Sequence, residues 1–498
     1  MKICLINVPN TYELVGNDPV VIKESQGVVP PLGLLYTASY INTKGTHNVS
    51  VIDAQVENLS HEELAERVVA LKPDLVGLTA MTFTLVDCKL VIKAIRKRLN
   101  VPIVVGGPHT AIFPQECFNP NGLDADYVIV GEGEITLNNL ATLIETKKLT
   151  RNSPQSERTL KQIDFIQDLD ELPFASFDLV PHKKYYSVLS EETPTATLFT
   201  SRGCPFSCTY CDRPALGKGF RPQGAKRVVD EMEHLERHYG FKDIFFYDDT
   251  FSVSKKRVHE ICDEYLKRNL SIKWDVRTRV NVVDDDLLTK MKKAGCTRIH
   301  FGVESGSPRV REEIQKGISN DQIERAFDGC RRLGIKTLAY FMLGNRTETF
   351  EDTKETLAMA RRIKPDYMQM TILSPFPATQ DYDIARRRGV IQGDPWREYA
   401  NRINDDFRPP LYDEIYSRNE LESQLRWFYR KFYLNPKFIL DRVMEVRNPG
   451  QFSRYAVAGL SLLKMTLVPE NKMKDSWQLR TKTGIASSKS PEAAVELA

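Results

Sequence analysis

Thr195-Ala196-Thr197-Leu198-Phe199-Thr200, a strand-like run, leads through Ser201-Arg202-Gly203 into Cys204-Pro205-Phe206-Ser207-Cys208-Thr209-Tyr210-Cys211. Three thiolates within eight residues suit three corners of a cubane iron–sulfur cluster. The fourth iron is then left without a protein ligand and open to a small molecule, which makes the cluster a site for chemistry. The run precedes Gly217 and Gly219, so it reads as a loop at a strand's carboxyl end. Zinc is the competing reading, but zinc takes four ligands, and no fourth Cys or His lies near.

Working outward, residues 195 to 389 repeat strand then helix. The candidate strands are Thr195–Thr200, Asp243–Tyr247, Ile272–Val276, Arg298–Val303, Lys336–Met342 and Tyr367–Thr371. Six such units fit an open (β/α)6 barrel, whose chemistry belongs on the loops at the strand carboxyl ends. Upstream, short apolar runs at Ile3–Asn7, Val49–Asp53, Leu75–Thr79, Ile103–Gly106 and Tyr127–Val130 alternate with amphipathic stretches. That pattern predicts a doubly wound parallel sheet. In the flavodoxin-like strand order, ligands lie beyond the strand carboxyl ends. The loops starting at Asn7, Thr79, Gly106 and Gly131 would then share one rim.

The 498-residue chain is 41% hydrophobic, enough for several cores, and its 69 basic against 66 acidic residues give a net charge of +3. That balance argues against bulk nucleic-acid binding. The start turns polar too soon for a signal peptide, and no apolar run reaches the roughly 18 residues that span a bilayer. Nine cysteines, six of them scattered singly, suit a reducing, cytoplasmic compartment better than a disulfide framework. The expected division is 1–150 for the first domain, 151–190 for a linker, 191–389 for the barrel, 390–468 for a helical C-terminal region and 469–498 for a disordered tail. Trp427-Phe428-Tyr429-Arg430-Lys431-Phe432-Tyr433 reads as a cap on the barrel mouth, the lining of an apolar channel, or a well-packed helix. The apolar stretch Ala456–Val468 reads as a core helix or an interfacial anchor.

The Cys-x3-Cys-x-Tyr-Cys run resembles the signature of the radical S-adenosylmethionine (SAM) enzymes. The Pro30-Pro31-Leu32-Gly33 entry, the Thr79–Thr84 loop, and the Gly106-Gly107-Pro108-His109 and Gly131-Glu132-Gly133-Glu134 turns resemble the cobalamin-binding domain that precedes the barrel in B12-dependent members. The resemblance implies a Rossmann-like cobalamin domain joined to a partial radical SAM barrel. It assigns a [4Fe-4S] cluster to Cys204, Cys208 and Cys211. SAM contacts fall on Tyr210, Asp248, Asp249, Arg279, Glu304 and Gly344, and cobalamin contacts on Thr79, Met81, Thr82, Thr84, Gly106, Gly107, His109, Gly131 and Glu132. Two departures stand out. No Asp-x-His-x-x-Gly motif is present, so no histidine is expected below the cobalt. Asn345-Arg346-Thr347 replaces the Pro-Gly-Glu that usually follows the fifth strand.

The implied activity starts from a 5′-deoxyadenosyl radical made from SAM and ends in C-methylation of an unactivated carbon, on a small molecule for which the C-terminal aromatics suggest a lipid, tetrapyrrole or other apolar body. A flavodoxin- or ferredoxin-type donor would supply electrons, and peripheral membrane contact is compatible with the apolar stretch. Cobalamin-dependent cyclisation, rearrangement or oxidation without methyl transfer is the alternative. Methylthiolation is a third reading, disfavoured because Cys4, Cys88 and Cys117 lack the settings of a second cluster.

Overall fold

A computed structural model describes residues 1–14, 27–162, 164–187, 189–190, 192–212, 217–436 and 438–440. Ala456–Val468 and the 469–498 tail lie outside the described residues. The first sheet has the order β2-β1-β3-β4-β5-β6, built from β1 (Lys2–Asn7), β2 (Asn48–Asp53), β3 (Leu75–Thr79), β4 (Ile103–Gly106), β5 (Tyr127–Val130) and β6 (Thr159–Lys161). All its pairings are parallel. The flavodoxin-type order expected from the sequence is extended by β6, which lies in the stretch read as a connector. Three residues, Thr159-Leu160-Lys161, are too few to show a period.

Alternation along β1 explains the two layers. Ile3 and Leu5 pack against Leu35, Ile41 and Leu140 on helices Leu32–Lys44 and Gly133–Glu145. Cys4 and Ile6 face the opposite layer, with Leu64 and Ile92 of helices His61–Leu71 and Leu85–Arg96. Ser60 opens helix His61–Leu71 through a reciprocal capping box with Glu63, which satisfies two otherwise unpaired backbone donors.

The second sheet runs β14-β13-β12-β11-β10-β7, again all parallel. Its strands are β7 (Thr195–Leu198), β10 (Asp243–Phe246), β11 (Lys273–Thr278), β12 (Cys296–Glu304), β13 (Lys336–Leu343) and β14 (Tyr367–Ile372). Helices return between them, as the six-unit reading requires. Two short strands, β8 (Ser201–Arg202) and β9 (Arg221–Pro222), pair antiparallel and bracket the cysteine loop.

The aromatic stretch 427–433 belongs to helix Arg418–Tyr433 and covers the free edge of β14. Tyr429 Oη accepts from Met370 N at 2.9 Å and donates to Met370 O at 3.1 Å. Tyr433 Oη does the same at Met368, at 2.9 and 2.7 Å. These rings close an open sheet edge, and their presence therefore says nothing about an apolar substrate. Among the described residues no helix is long and apolar enough to cross a membrane.

Candidate active site

The cysteine loop is held from three directions. At its entry, Asp248 accepts from Thr200 N at 2.7 Å, Thr200 Oγ1 at 2.5 Å and Ser201 Oγ at 2.6 Å. Gly203 follows with φ +81°, and a Cβ there would collide with the Gly219 carbonyl, so only glycine fits. In the middle, Thr209 N donates to Ile314 O at 3.1 Å and Asp381 N donates to Thr209 O at 3.0 Å. Asp381 is itself fixed by Arg346 Nη1 at 3.0 Å.

Cys204 and Cys208 are buried and Cys211 is exposed. Arg279 Nη1 donates to Cys208 Sγ at 3.3 Å, and Thr250 Oγ1 lies 3.5 Å from Cys204 Sγ. A guanidinium against one sulfur and a hydroxyl against another are the hydrogen-bonding partners that orient cluster-ligating sulfurs. No group of three His, Cys, Asp or Glu among the described residues suits a single ion; a cubane asks instead for separate thiolates on separate irons. The loop fits the cluster. Elsewhere burial pushes Cys4, Cys88 and Cys262 up to about 12, which makes them neutral packing groups.

Tyr210, Arg279 and Glu304 converge around Lys316, a residue that spacing alone did not single out. Lys316 Nζ donates to Glu304 Oε1 at 2.6 Å and to Tyr210 Oη at 3.2 Å, while Tyr210 Oη donates to Glu304 Oε1 at 2.9 Å. Arg279 also donates to the Lys316 carbonyl and stacks 4.1 Å from the Phe206 ring centroid. Glu304 sits at φ +68° beyond a register shift between Gly302 and Glu304. That backbone region costs a non-glycine residue of order 1 kcal/mol or more. A Cβ on Gly302 would strike Glu304 Oε1 and approach Lys316 Nζ to 2.7 Å, so the glycine clears the space the ion pair occupies. Acid, cation and phenol beside the thiolate loop are the mixture a sulfonium amino acid needs.

The remaining SAM assignments separate. Asp248 has both carboxylate oxygens engaged by Thr200 and Ser201 and is fully buried; it positions the loop and does not face the Glu304 group. Asp249 is exposed on the rim. Gly344, at φ +79°, starts the fifth-strand turn, where a Cβ would press on Ile372 and Leu421 at 3.3 and 3.4 Å. Asn345 N and Nδ2 donate to Glu348 Oε2 at 3.0 and 2.9 Å, and Arg346 Nε binds Glu313 at 3.1 Å. Asn345-Arg346-Thr347 thus builds a closed turn without the usual Pro-Gly-Glu.

The predicted cobalamin loops all emerge from strand carboxyl ends of the first sheet, but only some of their residues remain available there. Met81 is 43% exposed, and Thr79, Gly106, Gly107 and Gly131 are partly exposed. Gly107 has φ +103°, and a Cβ would stand 3.0 Å from both Ala80 O and Thr79 Cγ2. The missing side chain lets this turn pack closely against the Thr79–Ala80 backbone. His109 is turned inward, hydrogen-bonded through Nδ1 to Thr82 Oγ1 at 3.0 Å and pushed down to about 4 by burial. Thr84 is buried against Met81 O and Cys88 Sγ. His109, Thr82 and Thr84 therefore brace the loops from within.

Glu132 is also turned inward. It is buried and accepts from Arg202 Nη1 at 2.7 Å and Arg221 Nη1 at 2.9 Å, while Arg202 Nη2 reaches Glu134 at 2.6 Å. The Gly-Glu-Gly-Glu turn clamps the first domain to the strand pair beside the cysteine loop. On the other flank Phe83 meets Phe376 edge-on at 5.4 Å. Phe113, Met342, Leu373 and Trp396 share one apolar cluster, with Tyr210 packed against it. The two rims of strand carboxyl ends thus face each other across a common core.

Comparison with known proteins agrees with this geometry. Residues 198–360 match the family described as the Radical SAM superfamily, and residues 19–141 match the B12 binding domain. An uncharacterized methyltransferase of Pyrococcus horikoshii is 33% identical over 441 residues, covering 86% of this chain and 93% of that one. The anaerobic magnesium-protoporphyrin IX monomethyl ester cyclase of Rubrivivax gelatinosus is 29% identical over 433 residues, covering 84% and 76%. The structure of TsrM, a radical S-adenosylmethionine methyltransferase from Kitasatospora setae, aligns over 97% of this chain and 99% of that chain, with TM-score 0.69 and 17% identity.

Proposed function

Because this chain belongs to the radical SAM enzymes that carry a B12-binding domain, we propose that it is a cobalamin-dependent methyltransferase acting on an unactivated carbon of a small molecule. The family's cofactors are a [4Fe-4S] cluster, SAM and cobalamin. When bound, they supply a hydrogen-abstracting radical on the barrel side and a methyl group on the other. The observation that carries the reading is the opposition of the two rims, with Phe83 against Phe376 at 5.4 Å. In this reading the cysteine loop on one rim and the cobalamin loops on the other act on a substrate bound between them.

The chain's own residues divide the work. Cys204, Cys208 and Cys211 hold the cluster. Lys316 and Glu304 offer an ammonium and a carboxylate to the two charged ends of SAM, and Tyr210 holds Glu304 in place. Arg279 donates to Cys208 Sγ and covers its flank by lying on Phe206. Thr79, Met81, Gly106, Gly107 and Gly131 form the cobalamin rim. The low-potential electron comes from a flavodoxin- or ferredoxin-type donor at the exposed Cys211 side.

The cyclase among the relatives favours a second reading, radical ring formation without methyl transfer. A single-turnover assay separates the two without a known substrate. Reconstituted protein is incubated anaerobically with SAM and a low-potential chemical reductant. The methyltransferase reading expects about one S-adenosylhomocysteine per bound cobalamin and none in cobalamin-free protein. S-adenosylhomocysteine at background in both would favour the cyclase reading.

A further inference from the structure

The barrel strands turn alternate residues to the helices and to the lumen. Phe246, Val276, Phe301, Ala339 and Met370 face the helices and are buried. Phe245, Tyr247, Arg277 and Tyr340, on the lumen side, are only partly buried, whereas Asp275, Arg298, His300 and Leu338 on that side are buried, so the accessible part of the lumen is the part the first four residues line.

Arg277 stands on the lumen wall. Its guanidinium lies 4.7 Å from the Phe245 ring centroid and 4.8 Å from that of Tyr247. The hydroxyls of Tyr247 and Tyr340 are its polar neighbours. Asp275, two residues earlier on the same strand face, is taken by Arg298. Two hydroxyl oxygens cannot occupy five N–H donors, and no carboxylate stands within ion-pair reach of Arg277 among the described residues.

The neighbouring hydrogen bonds orient Tyr340 in the same sense. Arg298 Nε donates to His300 Nε2 at 3.2 Å, which assigns the ring proton to Nδ1. His300 Nδ1 lies 3.0 Å from Tyr340 Oη and so donates to it, leaving the Tyr340 O–H free to donate into the lumen. The other charged groups nearby are Arg298, Asp275 and Asp243. Burial and Asp275 push Asp243 up to about 7, and burial between Arg298 and Arg277 keeps His300 neutral. The wall is therefore rich in donors and cationic at neutral pH.

We propose that Arg277 and Tyr340 form an oxyanion anchor that binds a carboxylate or phosphate of the substrate, with a flat or apolar body lying along Phe245 and Tyr247. This rests on the reading that the lumen holds the substrate of the radical chemistry. The anchor fixes the end of the substrate away from the reacting carbon, and the planar fork of Arg277 suits either oxyanion.

Calorimetry on the full, anaerobically reconstituted protein tests it with three probes: 3-phenylpropionate, phenyl phosphate and the neutral 3-phenylpropanamide. One of the anions should bind at least about tenfold more tightly than the amide, and which one identifies the group. Arg277→Gln should abolish the preference and Tyr340→Phe reduce it several-fold, with iron content unchanged. An amide that binds as well as both anions, no anion binding at all, or an intact preference in Arg277→Gln would overturn the anchor. Should Arg277→Gln lose its iron through misfolding, Tyr340→Phe decides alone. Cobalamin content and S-adenosylhomocysteine release are read on the unsubstituted protein. Their failure would count against the proposed function, whereas a missing anion preference counts against the anchor.

Discussion

Glu304 and Lys316 form a buried pair, with side chains 9% and 6% exposed, and the pair sits on strained backbone at the end of β12. Removing one member leaves an uncompensated charge, which costs about 3–5 kcal/mol. Lys316→Met is expected to destabilise by that order in anaerobic urea denaturation. The double variant Glu304→Gln, Lys316→Met should recover much of the loss, and SAM affinity should fall in both. Equal stability of the single and double variants would show that the two residues are not coupled. Cysteine spacing announces a cluster because three ligands must lie on one loop. A lone lysine in a turn has no spacing signature, so Lys316 was invisible. Asp248 and Asp249 differ by one position on an extended segment, and alternation sends one inward to Thr200 and leaves the other exposed.

The turn after β13 shows what replaces the usual Pro-Gly-Glu. Burial raises Glu348 to about 7, against an ordinary value of 4.5, even though Asn345 donates to it twice. A carboxyl whose pKa is raised by folding binds more protons folded than unfolded between those two values. Stability is therefore full below about 4.5 and is lost as the pH rises through about 7, by up to about 3 kcal/mol. Glu348→Gln, which keeps an acceptor for Asn345, should raise the melting temperature over the parent at pH 8 and leave it nearly unchanged at pH 5. A constant difference at both pH values would contradict this. Helix Arg418–Tyr433 makes the complementary point about legibility. Its aromatic content was plain in the sequence, but pairing of Tyr429 and Tyr433 to the β14 backbone depends on a sheet edge some 60 residues upstream in the chain. Periodicity finds the helix and cannot find what it covers.

Across the molecule, both layer architectures were legible because strand–helix alternation is a local pattern. How the two lobes meet was not, since it depends on partners distant in sequence. The Glu132–Arg202–Glu134 clamp joins residues 68 and 70 positions apart, and all three are buried. The two carboxylates hold the Arg202 charge in place against the opposing effect of burial. Arg202→Ala strands Glu134 and leaves Glu132 with Arg221 as its remaining cation, and should cost about 3–5 kcal/mol, read as a lower denaturation midpoint. A shift of less than about 0.5 kcal/mol, the size of an ordinary surface change, would show that the clamp does not hold the lobes.

In the proposed enzyme the cysteine loop and the first-sheet rim serve the cluster and cobalamin together. The most direct measurement is the cobalamin-to-protein ratio of protein expressed with hydroxocobalamin and purified anaerobically, with iron assayed in parallel. A ratio near one beside about four irons is expected. Full iron with no cobalamin would contradict it, leaving the first domain as a platform for substrate and the barrel as a radical SAM enzyme of another kind.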